Sequence, residues 1–212
     1  MKKFDDLMFA LLLKKLDFMQ KHPDKVSAEQ LSFAESLLAK VKGALSISDH
    51  VDWKVECEVR KYHNEKDLSM GKHYDVAHAG GNIVTDSGAN AMLKLITGDS
   101  LTSPFSNANA VIAVGNNTTP ENATQTGLIA IPPYYVAKGM DSGFPQVTGR
   151  NVVFKSTFNN DEANFSWNEF SIQNGIGSNK IALNRKVENL GTKATGIWTV
   201  QITISIVSTP SV

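Results

Sequence analysis

The chain has one cysteine, Cys57, in 212 residues, so no disulfide within the chain can form. It has no excess of charge of either sign, with 21 Lys+Arg against 21 Asp+Glu. Without a basic stripe it lacks the electrostatic footprint of nucleic-acid binding, and no nucleic-acid partner is expected. Long hydrophobic runs are also missing. The longest, around Leu7 to Leu13, is far short of the ~20 residues that cross a membrane, so no membrane partner is expected. Asp5 and Asp6 precede that run and Lys14, Lys15 and Asp17 follow it, which is not the pattern of a secretory leader. There is no repeat of fixed period, which disfavours a fibre shaft.

What is present falls into a helical and a β-rich part. Phe4, Leu7, Met8, Leu11, Leu12, Leu16 and Met19 recur at helical spacing. His22-Pro23-Asp24 interrupts this pattern. Ser27 followed by Gln30 then has the form of a capping box, and Leu31, Ala34, Leu38 and Val41 mark the face of a second helix. Residues 1–45 are therefore expected to form a helical hairpin. Its first helix is apolar over so wide an arc that Phe4, Leu7, Phe9, Leu11, Leu13 and Leu16 are expected at an interface, between copies or with another protein.

After Ser46 the period changes to two. Val51, Trp53, Val55, Cys57 and Val59 alternate with polar residues, as do Trp198, Val200, Ile202, Ile204 and Ile206, and both runs are expected as core strands. Cys57 is expected to be a buried, inert thiol. Weaker strands are expected near residues 75–84, 110–114, 134–137, 152–159, 165–173 and 181–186, with turns at Gly115-Asn116-Asn117, Asn159-Asn160-Asp161 and Gly175-Ile176-Gly177. Asp86-Ser87 supplies N-cap oxygens for one short helix through Ile96, closed by Gly98. The expected fold is mainly β: a jelly-roll or Ig-like β-sandwich over residues 46–212 with one short internal helix, preceded by the hairpin.

Candidate chemistry is sparse. Gly175 to Lys180 lacks phosphate-loop spacing and reads as a surface turn. His73, Asp75 and His78 have no metal-site spacing, since an odd interval along a strand sends the two rings to opposite faces. Asp161 and Glu162 suit a hairpin tip. Glu169 shares a strand face with Phe165 and Trp167, where a carboxylate needs a cation, and Arg185 or Arg150 is the expected partner. The Asn-Xaa-Ser/Thr triplets at Asn116, Asn117, Asn122 and Asn164 read as turn residues. Tyr134, Tyr135 and Phe144, in a segment rich in proline and glycine, are a candidate ligand loop whose rings could stack on carbohydrate. No catalytic residue, metal or cofactor is assigned.

Several stretches, in order, resemble a family of small virion structural proteins of tailed bacteriophages. They are Gly81-Asn82-Ile83-Val84-Thr85 leading into Gly88-Ala89-Asn90, Ala113-Val114-Gly115 with Thr118-Thr119-Pro120 and Thr126-Gly127-Leu128, Ala163-Asn164-Phe165-Ser166-Trp167-Asn168-Glu169 with Leu183-Asn184-Arg185, and Gly191-Thr192-Lys193. Ser171 departs from this pattern, standing where glycine is common. The resemblance covers about residues 80–207. It implies a non-enzymatic component of the virion, made in the host cytoplasm, without saying which part of the virion. With the apolar hairpin as a docking surface and no repetitive shaft, the expected role is an accessory protein that decorates the capsid or joins the head and tail, self-associates as a homo-oligomer and binds other virion proteins. A tail or baseplate protein that binds a carbohydrate receptor is the alternative.

Overall fold

The computed structural model describes residues 14, 18–19, 21–22, 27–30, 32–36, 50–81, 83–175 and 180–209. The chain divides into two compact units, Met1–Asp52 with Ser208–Val212, and Trp53–Val207. In the first, residues 28–30 and 32–36 are helical. The capping box forms there as a reciprocal pair: Ser27 N donates to Gln30 Oε1 at 3.0 Å and Gln30 N to Ser27 Oγ at 3.2 Å. Phe4, Leu7, Phe9, Leu11, Leu13 and Leu16, expected at an interface, lie outside the described residues.

The second unit contains a β-sandwich. Its strands are β1 (His50–Tyr62), β2 (Asp75–Gly80), β3 (Ile83–Val84), β4 (Ala110–Gly115), β5 (Tyr135–Gly139), β6 (Gln146–Thr148), β7 (Asn151–Phe158), β8 (Ser166–Asn174), β9 (Ile181–Ala182), β10 (Asn184–Thr192) and β11 (Ile197–Thr209). One sheet runs β2-β1-β11-β7-β6. The other runs β3-β10-β8-β4-β5, with β9 beside β8. Helix α1 (Glu65–Ser69) follows β1, and α2 (Asp86–Ile96) follows β3.

The two strands with the cleanest alternation are central. Val55, Cys57 and Val59 of β1 and Trp198, Val200, Ile202 and Ile204 of β11 are buried in one cluster with Phe154, Phe158, Trp167, Phe170 and Ile172, and Trp53 packs partly buried against it. Trp167 crosses the sandwich edge-on to Phe158 and Trp198, with ring centroids 4.9 and 4.8 Å apart. Burial pushes the Cys57 thiol well above its ordinary value, with the nearby Glu58 carboxylate adding to the shift.

The sheets are joined at one side by polar contacts. Ser156, fully buried on β7, donates to the main-chain oxygens of Lys138 at 3.3 Å and Gly139 at 3.0 Å on β5. Just after β5, the Asp141 carboxylate accepts from Thr157 N at 2.9 Å and Thr157 Oγ1 at 2.8 Å, stapling the crossing chain to β7.

Four local expectations need correction. The strand expected over 75–84 splits into β2 and β3, separated by Gly81 at φ 69°. The α2 cap is Thr85, whose side chain accepts from Gly88 N, rather than Asp86-Ser87. Gly115 is buried within β4 instead of opening a turn. The strand expected to end at Lys186 continues to Thr192 through an irregularity, and α1 and β6 carried no sequence expectation.

Candidate functional site

That irregularity decides where Glu169 points. On β8, Phe170 and Ile172 lie opposite Val114 and Ile112 of β4 and share the sandwich core with them. Glu169, Ser171 and Gln173 lie opposite Gly115, Ala113 and Val111 and so occupy the other face. Trp167 nevertheless sits in the core, so the facing switches between Trp167 and Phe170. At this point Glu188, Asn189 and Leu190 of β10, between Val187 and Gly191, oppose the single Asn168 of β8. Extra residues on one strand bend it and re-aim its neighbours. Glu169 therefore does not share a core face with Phe165 and Trp167. It lies beneath the segment running from Asn116 to Ile131.

There Glu169 and Arg185 form a pair whose side chains are both fully buried, with Arg185 Nη2 2.7 Å and Nε 2.8 Å from Glu169 Oε2. Of the two expected partners, Arg185 is the one. The remaining hydrogen-bonding capacity of both groups goes to the covering segment. Ala130 N donates to Glu169 Oε1 at 2.7 Å and Ile129 N to Oε2 at 3.2 Å. Arg185 Nη1 donates to Gln125 Oε1 at 2.9 Å and Nη2 to Thr119 O at 3.0 Å. The pair ties a long irregular segment to the sheet at two points, and each charge is met by hydrogen bonds as burial requires. Gly115 leaves the room for it, since a Cβ there would stand 2.6 Å from Glu169 Oε1.

A second polar assembly holds α2. The Thr85 hydroxyl caps the helix through Gly88 N at 2.9 Å and also donates to Ala182 O. A Cβ on Gly88 would lie 2.4 Å from Leu183 O, so the helix can approach β9 this closely only through glycine. Asn184 Oδ1 accepts from Ile172 N at 2.7 Å.

A third closes the end of the sandwich near Trp198. Lys193, about 1% exposed, donates to Asn159 O at 2.7 Å, Asn160 O at 3.1 Å and Asn164 Oδ1 at 2.8 Å. Burial pulls its amine below the ordinary lysine value, against the opposing pull of Glu162 and Asp161. Lys61 lies 4.5 Å over the Trp198 ring and 2.7 Å from the Asp75 carboxylate.

The remaining sequence candidates are not brought together. His73 stands before β2, edge-on to Tyr62, while His78 is exposed on β2 opposite Glu58, and Asp75 is held by Lys61. Among the described residues no group of three His, Cys, Asp or Glu side chains could hold a metal. Glu162 accepts from Asn159 N at 2.7 Å and pairs with Lys138 at 2.5 Å, a turn-closing role. Asp161 is exposed and accepts from Asn160 Nδ2.

The aromatic trio is dispersed. Tyr134 is half exposed, edge-on to Phe165. Tyr135 donates to Gln173 Oε1 at 3.0 Å, with Lys180 over its ring. Phe144 lies beyond the far end of β5, beneath Lys155. Because β5 separates the tyrosines from Phe144, the three rings form no single stacking platform.

The surface instead carries large aliphatic side chains. Leu93 and Ile96 on α2 and Leu101 just beyond it are 64%, 81% and 92% exposed, and Ile131 and Val147 are comparably exposed elsewhere. The exposure of Leu93, Ile96 and Leu101 was not anticipated. Its signal lay in α2 itself, where Gly88 and Ala91 are buried, Met92 packs partly buried against the core, and Leu93 and Ile96 are left facing out. Lys193 was also missed, although it ends the Gly191-Thr192-Lys193 stretch.

No protein-family model, no curated protein and no solved structure matches this chain.

Proposed function

We propose that this protein is a non-enzymatic structural component of a tailed-bacteriophage virion, an accessory protein that self-associates and docks on neighbouring particle proteins. The observation that carries the reading is a division of labour. Buried polar residues in the stretches that resemble the phage family are engaged in fastening loops and α2 to the sandwich: Thr85, Glu169, Asn184, Arg185 and Lys193. Aliphatic side chains on α2 and the loop after it are turned outward. Large aliphatic side chains left this exposed within one short stretch of chain suit a protein contact. A rigid sandwich with its connections tied down is suited to presenting such a surface without rearrangement.

Capsid decoration is favoured over a tail fibre because the chain has no repetitive shaft. The homo-oligomer and the virion location both belong to this proposal. Receptor glycan binding gains no support from the dispersed aromatic rings.

The test is proteomic and imaging analysis of purified particles from the source phage, with an antibody against this chain used in electron microscopy. The protein is expected in stoichiometric amounts at regular positions on the shell or at the neck. Its absence from purified particles would overturn the reading, and specific binding on a glycan array with no particle association would replace it with the carbohydrate-binding alternative.

A further inference from the structure

We propose that Lys193 and Asn164 are a site of self-modification, where the lysine amine and the asparagine carboxamide condense to an isopeptide bond linking the entry to β8 with the exit from β10. The proposal is independent of any virion role, because it rests on the geometry of one corner of the sandwich. Lys193 Nζ is buried and lies 2.8 Å from Asn164 Oδ1, which places the carboxamide carbon one bond beyond a contact already made. Its other two acceptors, Asn159 O and Asn160 O, are main-chain carbonyls that position the amine. The carboxamide is itself oriented, since Asn164 Nδ2 donates to Asn160 O at 3.0 Å.

The backbone around both residues is fixed. Lys193 N donates to Phe165 O at 3.1 Å, and Trp167 Nε1 donates to Ala163 O at 2.8 Å beside Ala163 in the left-handed region at φ 53°. Holding a nucleophile and its target at contact distance replaces a bimolecular encounter by a positioned one. Burial also lowers the amine's pKa, which raises the fraction of the neutral nucleophile.

The reaction balances without an oxidant or cofactor. Lys193 gives up one proton to solvent, and its nitrogen lone pair forms a bond to Asn164 Cγ. The adduct's lysine nitrogen passes a second proton to Nδ2 as the Cγ–Nδ2 bond breaks, so that nitrogen leaves as ammonia and takes up the first proton from solvent as ammonium. Asn164 is exposed on its outer side, which provides the route for departure. The product is a neutral secondary amide that ties the β7–β8 turn to the β10–β11 turn covalently.

The experiment is the intact mass of the full-length protein, followed by tryptic mapping. The wild-type chain is expected to be lighter than its sequence by one ammonia. Peptide 156–180 should be joined to peptide 187–212, which stays uncut at Lys193. The Asn164→Ala and Lys193→Arg variants should each show the full mass of their sequences. A wild-type chain of unmodified mass overturns the proposal and leaves Lys193 as an ammonium caged by three oxygens. A loss of ammonia that persists in Asn164→Ala, or that maps to a cyclised Asn174-Gly175, overturns it as well. Because the wild-type mass decides the matter, the result does not depend on whether either variant folds.

Discussion

Replacing Arg185 by methionine removes the only cation contacting Glu169 among the described contacts, and its consequence can be worked through from the structure. The Glu169 carboxylate would keep its two amide donors, Ile129 N and Ala130 N, but lose both guanidinium contacts at a site with no solvent exposure. Leaving one member of a buried pair uncompensated costs about 3–5 kcal/mol. For a domain of this size each kcal/mol lowers the melting temperature by about 2–4 °C, so a drop of about 6–20 °C is expected. Thr119 O and Gln125 Oε1 would lose their donors in the same step, so the segment between residues 116 and 131 should become the first site of limited proteolysis. Glu169→Gln should also destabilise, because one end of an amide must present hydrogens either to a backbone N–H or to Arg185. The double replacement Glu169→Met with Arg185→Met removes both charges and should be less damaging than Arg185→Met alone. Denaturant melts of the three variants form the assay. An Arg185→Met change of under about 1 kcal/mol, the scale of exposed pairs, would refute the claim that this pair is buried and fastens the segment.

Gly88→Ala places a Cβ against the Leu183 carbonyl, and overpacking of this kind should cost about 1–3 kcal/mol in a thermal melt, whereas a gain in stability from better helix propensity would contradict the close approach. Cys57 should resist thiol reagents in the native state and react only on unfolding, so rapid labelling of the folded protein would show the strand to be open. The Glu162 carboxyl sits below its ordinary value: burial would raise it, but the hydrogen bonds from Lys138 and Asn159 N, with the charge of Lys138 and, while its amine is free, that of Lys193, outweigh that. A depressed folded-state value means that its stabilisation is present above the ordinary glutamate range and is lost as the pH falls through the lowered value. Glu162→Gln should therefore flatten the acid limb of the stability profile, and an unchanged limb would count against the pairing. Exchanging Leu93 and Ile96 for serine should leave the melting temperature nearly unchanged while weakening self-association in analytical ultracentrifugation, and unaltered association would move the interface elsewhere.

The mainly β fold, the central places of β1 and β11, the capping box at Ser27 and the short helix after Val84 were legible in the sequence. Each rests on a period or a local hydrogen bond between residues close in the chain, and both survive whatever the rest of the molecule does. Glu169 was legible in part. A carboxylate among alternating core residues demands a cation, and that demand singled out two arginines. Which of them answers, and on which face, depends on residues 188–190 crowding against Asn168 across the β8–β10 pair, a relation between strands that no local pattern encodes. The same limit applies to Lys193, whose acceptors come from a turn some thirty positions earlier, and to the aromatic residues Tyr134, Tyr135 and Phe144, neighbours in sequence that β5 holds apart. Periodicity determined which residues turn inward. Tertiary structure alone decided which polar groups meet inside and which aliphatic side chains are left facing out, because both are set by how distant strands register and how closely α2 can approach the sheet.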